Sequence, residues 1–172
     1  MPRLPEITQP SPDQQEAYDY LKKTRGSVRG GFASMLASPD ITQRMAHLGT
    51  YVRFESPIPP LIRELAAVAI SAELQNPAEY TVHGRQCREL GVSEALVKAV
   101  IDRAPVSGAS ADEKLAIDFA RELGRDHKLS DATWQAGVKR LGEKGTVDLV
   151  GAIGYYAMLA VCHVALDIKP AH

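Results

Sequence analysis

The sequence predicts an all-α fold of seven or eight helices, on three observations. Apolar residues recur at three- and four-residue spacing along most of the chain, as in Leu61, Leu65, Val68 and Ala72. Proline, asparagine and serine stand where helices would begin, and glycine where they would stop. No segment sustains the period-two alternation of a half-buried strand, and no hairpin dipeptide joins two apolar runs.

Residues 1–12 carry Pro2, Pro5, Pro10 and Pro12, which forbid regular helix hydrogen bonding, so an extended arm is expected there. Residues 13–172 then form a single helical domain. Ser11 or Asp13 is placed to cap a helix running to about Arg25, and Gly26, Gly30 and Gly31 loosen the next segment. A short apolar piece, Phe32 to Leu36, leads to the helix start Ser38-Pro39-Asp40, with a helical pattern from Ile41 to Phe54. Pro57, Pro59 and Pro60 end that element and launch a helix over 60–74. Asn76 caps and Pro77 opens a helix over 77–90, with Gly91 as its stop. Ser93 opens another to about Asp102, on Leu96, Val97, Val100 and Ile101. Leu115, Phe119 and Leu123 place a helix from Ala111 to Arg125, and Ser130 caps one to Leu141. The last, roughly Thr146 to Leu166, is apolar nearly all round and is expected at the centre.

A chain of 172 residues is long enough to bury a core as one domain. With 45% hydrophobic and 24% charged residues the composition is that of an ordinary globular protein. A formal net charge of -1 gives no general attraction to nucleic acid or to an anionic membrane, and neither is expected as a partner. The longest apolar stretch, Leu149 to Leu166, is interrupted by Gly151, Gly154 and His163 and reads as a buried helix rather than a membrane span. The N-terminal segment has no apolar signal core, so a cytoplasmic location is expected. Cys87 and Cys162 form no CxxC pair, and free thiols are expected of both.

The chemistry concentrates in NPAEYTVHGRQCRELG, residues 76–91. On a helix, Glu79 and His83 are neighbours on one face, as are His83 and Cys87. A carboxylate beside an imidazole fixes its tautomer and raises its basicity, which suits a general acid or base near neutral pH. The same spacing also occurs on exposed helices as a plain surface pair, so spacing alone leaves both readings open. Glu64, between Leu61 and Leu65, lies toward the edge of the apolar face of 60–74. If the two helices pack antiparallel across Leu74-Gln75-Asn76, Glu64 and His83 come to matching levels. A metal site on Glu79, His83 and Cys87 lacks the HExxH spacing, and no metal is expected. Cys87 reads as a small buried residue, and His163 as a hydrogen-bonded core or interface residue.

The run RELAAVAISAELQNPAEYTVHGRQCRELG, residues 63–91, resembles the carboxymuconolactone decarboxylase family, which also holds the alkylhydroperoxidase D-like proteins. The likeness rests on Glu64 in the first helix, Glu79-Tyr80 followed by His83 in the second, and Gly91 eight residues after that histidine. A weaker likeness runs from Ser38-Pro39-Asp40 through YVRFES to Gly154-Tyr155-Tyr156. The peroxidase branch of this family carries CxxCxxxH. Asn76 and Glu79 hold its two cysteine positions here, so a dithiol cannot form and thiol-based peroxide reduction is not expected. The resemblance implies an alkylhydroperoxidase D-like helical bundle with a central helix hairpin, assembled as a homo-oligomer, either a trimer or a hexamer. It implies cofactor-independent decarboxylation or lactone processing of a small carboxylated, conjugated substrate, in the manner of a carbon-carbon lyase of aromatic-compound degradation. His83 is then the expected proton donor, Glu79 its orienter, Glu64 a second acid/base group, and Tyr80 a substrate contact. A non-catalytic helical oligomer that binds a small acid or serves as a scaffold is the alternative, and alkylhydroperoxidase-like activity through Cys87 alone, which needs an external reductant and an accessible low-pKa thiol, is the less favoured one.

Overall fold

A computed structural model describes residues 2–170, and every regular element among them is helical. The elements are α1 (Gln15–Arg25), α2 (Gly30–Met35), α3 (Pro39–Thr50), α4 (Pro60–Glu73), α5 (Pro77–Glu89), α6 (Glu94–Ile101), α7 (Ala111–Arg121) and α8 (Asp131–Leu166). Two of them end in a single π-helical turn, Tyr51–Glu55 after α3 and Glu122–Asp126 after α7.

The local signals account for most boundaries. The Asn76, Ser93 and Ser130 side chains accept from the backbone N–H of Ala78, Leu96 and Thr133. Ser110 and Glu113 form a reciprocal capping box on α7. The start of α1 differs from the sequence expectation, since neither Ser11 nor Asp13 caps it. Gln14 instead closes a turn with Ser11, donating its backbone N–H to the Ser11 carbonyl at 2.9 Å and accepting from the Ser11 N–H at 3.1 Å. The N-terminal segment is pinned to the body, with Arg3 N–H on the Leu166 carbonyl at 2.9 Å and Ile7 N–H on the Ala33 carbonyl at 3.1 Å.

The core is organised around α4. Its residues Ile62, Leu65, Ala66, Ala67, Val68, Ala69 and Ile70 are all buried, so it is covered on every side, as a helix apolar all round requires. Helices α5, α7 and α8 provide the cover. Each fully buried Leu or Ile in this layer contributes about 1.5–3 kcal/mol relative to exposure.

The two helices expected over 130–141 and 146–166 run as one element with a break at Gly142. Its φ of 71° and ψ of 172° lie in a region that side-chain-bearing residues avoid. By length and composition alone α8 would be long and apolar enough to cross a membrane. Here Leu149, Ile153, Tyr156 and Leu159 instead lie buried in the core.

Candidate functional site

The central hairpin aligns the first residues of the site. Asn76 closes the connection between α4 and α5, its N–H bonding the Ser71 carbonyl at 2.8 Å while Gln75 takes a left-handed φ of 54°. The helices return antiparallel and bring Glu64 and His83 face to face. Glu64 is 3% exposed and His83 6%. The His83 Nδ1 lies 2.5 Å from Glu64 Oε2, a short charge-assisted contact between imidazolium and carboxylate. Arg63 donates its Nε–H to the other oxygen of Glu64 at 3.0 Å.

The far side of the ring faces a second carboxylate. His83 Nε2 approaches Glu79 Oε2 at 3.3 Å, and Glu79 Oε1 in turn lies 3.3 Å from His163 Nδ1 on α8. These are ion-pair approaches rather than aligned hydrogen bonds, and both ring nitrogens of His163 are buried without a hydrogen-bond partner. One file of alternating groups results, Arg63–Glu64–His83–Glu79–His163, drawn from α4, α5 and α8.

Burial and pairing oppose each other at every member. Desolvation acts to lower the His83 pKa, but the two flanking carboxylates outweigh it and raise it from 6.5 to about 9. Burial acts to raise Glu64, and the His83 imidazolium with Arg63 more than offsets it, holding the carboxyl below its ordinary range. Glu79 is likewise lowered, with burial overcome by His83, His163 and Arg53. His163 goes the other way: burial depresses it, and Glu79 opposes that only in part. At neutral pH the file therefore holds a cationic His83 between two carboxylates, with a neutral His163 at its end.

His83 and Glu79 open onto a cavity of about 330 Å³ between the end of α1, the π-helical turn after α3, α5 and α8. Three arginines line it, Arg25, Arg29 and Arg53, together with Phe32, Tyr155 and Tyr156. Among the described residues none of the three arginines lies within ion-pair distance of a carboxylate. Arg25 is held over the Phe32 ring at 4.5 Å, and Arg53 over Phe54 at 5.1 Å. The Tyr156 ring meets His83 edge-on at 4.7 Å. A larger groove of about 790 Å³ runs between α7 and the first half of α8, but no imidazole or thiol lines it.

The structure brings Glu64, Glu79 and His83 together and leaves Tyr80 out. One position along a helix is a turn of about 100°, and the Tyr80 ring packs against the core instead of lining the cavity. The partner assignments within the triad also differ from the spacing-based expectation. Glu64, not Glu79, makes the short bond that orients the imidazole, and Glu79 is the carboxylate beside the cavity. His163 is buried as expected but not hydrogen-bonded, and it joins the file. Arg25, Arg29 and Arg53 carry no spacing signal, since they come from three separate segments. Cys87 is fully buried, and burial, with Glu64 adding to it, pushes its thiol up to about 12. Among the described residues no cluster of three or more His, Cys, Asp or Glu is placed to hold a metal ion.

The model of the carboxymuconolactone decarboxylase family matches residues 39–122, a span that contains the whole central hairpin. No curated protein matches the sequence. Among solved structures the chain is similar to an uncharacterized peroxidase-related protein with an alkylhydroperoxidase AhpD core from Ralstonia eutropha JMP134. The TM-score is 0.75 at 16% identity, over 98% of this chain and 90% of that one. A second uncharacterized peroxidase-related protein, from Silicibacter sp. TM1040, gives 0.74 at 17% identity over 99% and 92%. The debrominase Bmp8 in its apo form gives 0.77 at 15% identity over 98% and 91%. At these identities the likeness establishes an AhpD-like helical fold.

Proposed function

We propose that this chain, which belongs to the carboxymuconolactone decarboxylase family, catalyses cofactor-independent acid–base chemistry on a small carboxylated, conjugated substrate, by decarboxylation or lactone processing. The observation that carries this reading is the cavity itself. It sets a cationic imidazole beside three arginines that lack carboxylate partners, in a volume suited to a small acid.

Guanidinium groups recognise carboxylates by paired N–H bonds and place the substrate. A carboxylate held that way is stabilised against loss. The departing group is therefore a second carboxyl group, turned toward Phe32, Val82 and Leu159, where it sheds water. The bond from that carboxyl carbon breaks, its electron pair passes into the conjugated system, and carbon dioxide leaves. The Nε2–H of His83 delivers a proton to the resulting dienolate carbon, and one proton from solvent restores the imidazolium. Glu64 keeps the ring in place throughout by its bond to Nδ1. Proton transfer of this kind contributes typically about 10²–10⁴-fold.

The test is turnover of a panel of enol-lactones and β-keto acids, read as carbon dioxide release. On whichever substrate is turned over, His83→Gln lowers the rate by about 10²–10⁴-fold while the protein stays folded. Near-normal turnover by that variant rejects the assignment, and silence of the wild type across the panel favours a binding or scaffold role. The same reading places the protein in the cytoplasm as a trimer or hexamer. Val147, Val161 and Val164, exposed on the apolar helix α8, support assembly through that face. Solution mass by light scattering decides it, and a monomer refutes it.

A further inference from the structure

His163 is the least explained group in the molecule. It is 6% exposed, and neither ring nitrogen has a hydrogen-bond partner. A buried imidazole in that condition costs free energy unless something nearby uses it. The backbone leaves room for it: a Cβ on Gly31 would lie 1.9 Å from His163 Nε2, so α2 can pack there only with glycine. The Gly30–Met35 segment opposite brings no titratable side chain. Arg3 of the N-terminal segment reaches only the Ala165 and Leu166 carbonyls further along α8. Arg53 acts on Glu79, and Tyr155 and Cys162 share α8 with the histidine. The charge that acts on the His163 ring is therefore that of Glu79, at 3.3 Å.

Glu79 is thus shared. One of its oxygens faces each imidazole at the same separation, and His83 holds the proton at neutral pH. We propose that His163 is a second proton-holding residue of this site, a positioning residue that acts through Glu79. The two imidazoles compete for a single carboxylate, and the proton rests on one at a time. The part this plays in turnover rests on the acid–base reading of the site. When His83 has given its proton to substrate carbon, Glu79 is left between two neutral rings. One solvent proton taken up by His163 restores its counter-charge. That proton then crosses from Nδ1 of His163 to Glu79 Oε1, and the Glu79 carboxyl group turns to deliver the same proton from Oε1 to Nε2 of His83. The net uptake is the one proton that decarboxylation consumes.

The competition is measurable without any substrate, so its outcome is independent of whether a decarboxylation is ever found. Histidine-labelled full-length protein is titrated by NMR as wild type, His83→Gln and Glu79→Gln. In the wild type His163 titrates below the ordinary histidine range. In His83→Gln it has Glu79 to itself, and its midpoint rises by about one pH unit or more, the usual effect of gaining an undivided opposite charge. In Glu79→Gln both rings lose their shared partner, so the midpoints of His83 and His163 both fall. An unmoved His163 midpoint in His83→Gln, or in Glu79→Gln, overturns the proposal. Should His83→Gln fail to fold, the Glu79→Gln titration decides alone, and an unchanged midpoint at both rings is fatal.

Discussion

Raising the pH from 6.5 to 9 should strip this protein of a large part of its stability, and the cause is one residue. The folded state holds a proton on His83 up to about pH 9, whereas the unfolded chain releases it near 6.5. A group whose folded pKa is raised stabilises fully below the unfolded value, and that stability is lost as pH climbs through the folded value. The difference corresponds to about 3 kcal/mol, at 1.36 kcal/mol per pH unit. That is a substantial share of the 5–15 kcal/mol typical of a domain. Cys87 acts in the same direction but only above pH 9, because its ordinary value is 9.0 and its folded value about 12. Across the interval from 6.5 to 9 His83 therefore dominates, with His163, lowered by burial, acting weakly in the opposite direction just above 6.5. The assay is urea unfolding at fixed ionic strength and several pH values, for the wild type and His83→Gln. The wild type should lose about 3 kcal/mol across the interval, and the variant should be nearly flat. A flat wild-type profile, or equal slopes in the two proteins, would refute the ionised file as drawn.

The packing makes two further predictions. Gly31→Ala drives a methyl group into the His163 ring, and overpacking of this kind costs about 1–3 kcal/mol, read as a lower urea midpoint; unchanged stability would mean that α2 does not rest on His163. Cys87 should resist iodoacetamide at pH 8 in the native protein and react on unfolding, because burial withholds both access and the thiolate; rapid native labelling assigned to Cys87 would revive a thiol chemistry for this site.

The hairpin of α4 and α5 is legible in the sequence because its determinants are local. Asn76 and Pro77 mark the start, Gly91 the stop, and the apolar spacing of Leu61, Leu65 and Val68 marks the buried face. The meeting of Glu64 with His83 arises from comparable distances to one short turn, eleven residues before Gln75 and eight after it. Spacing could not rank the two carboxylates, because it sees only neighbours on the same helix. Glu79 is His83's neighbour by sequence, yet Glu64 reaches it across the interface at 2.5 Å. Tyr80 misleads for a related reason: adjacency in sequence to Glu79 is about 100° of rotation on a helix. The arginines are invisible in the sequence because Arg25, Arg29 and Arg53 converge only after three segments fold together. His163 does leave a trace, as an imidazole inside an otherwise apolar stretch. No pattern along the chain could disclose that Glu79, not a backbone carbonyl, would be beside it.

The direction of proton traffic is set by how the charges are ordered. An imidazole with a pKa of about 9 is almost wholly protonated at neutral pH, so His83 is poised to give a proton and poorly suited to remove one. Chemistry that begins by abstracting a proton from substrate would need the opposite arrangement, an imidazole buried away from carboxylates. Chemistry that begins by expelling a neutral fragment and ends by protonating carbon needs the arrangement found here. The alternation also explains how so many ions are tolerated in a dry interior: each charge in Arg63–Glu64–His83–Glu79 has an opposite neighbour. The file presents a carboxylate, Glu79, to the cavity, and that carboxylate alone would repel an acidic substrate. The three arginines on the same walls reverse that sign, and they do so without neutralising Glu79, because none lies within ion-pair distance of it. Under the proposed function, an acid would be drawn in by the arginines while His83 keeps the carboxylate contact that holds its proton until a substrate carbon takes it.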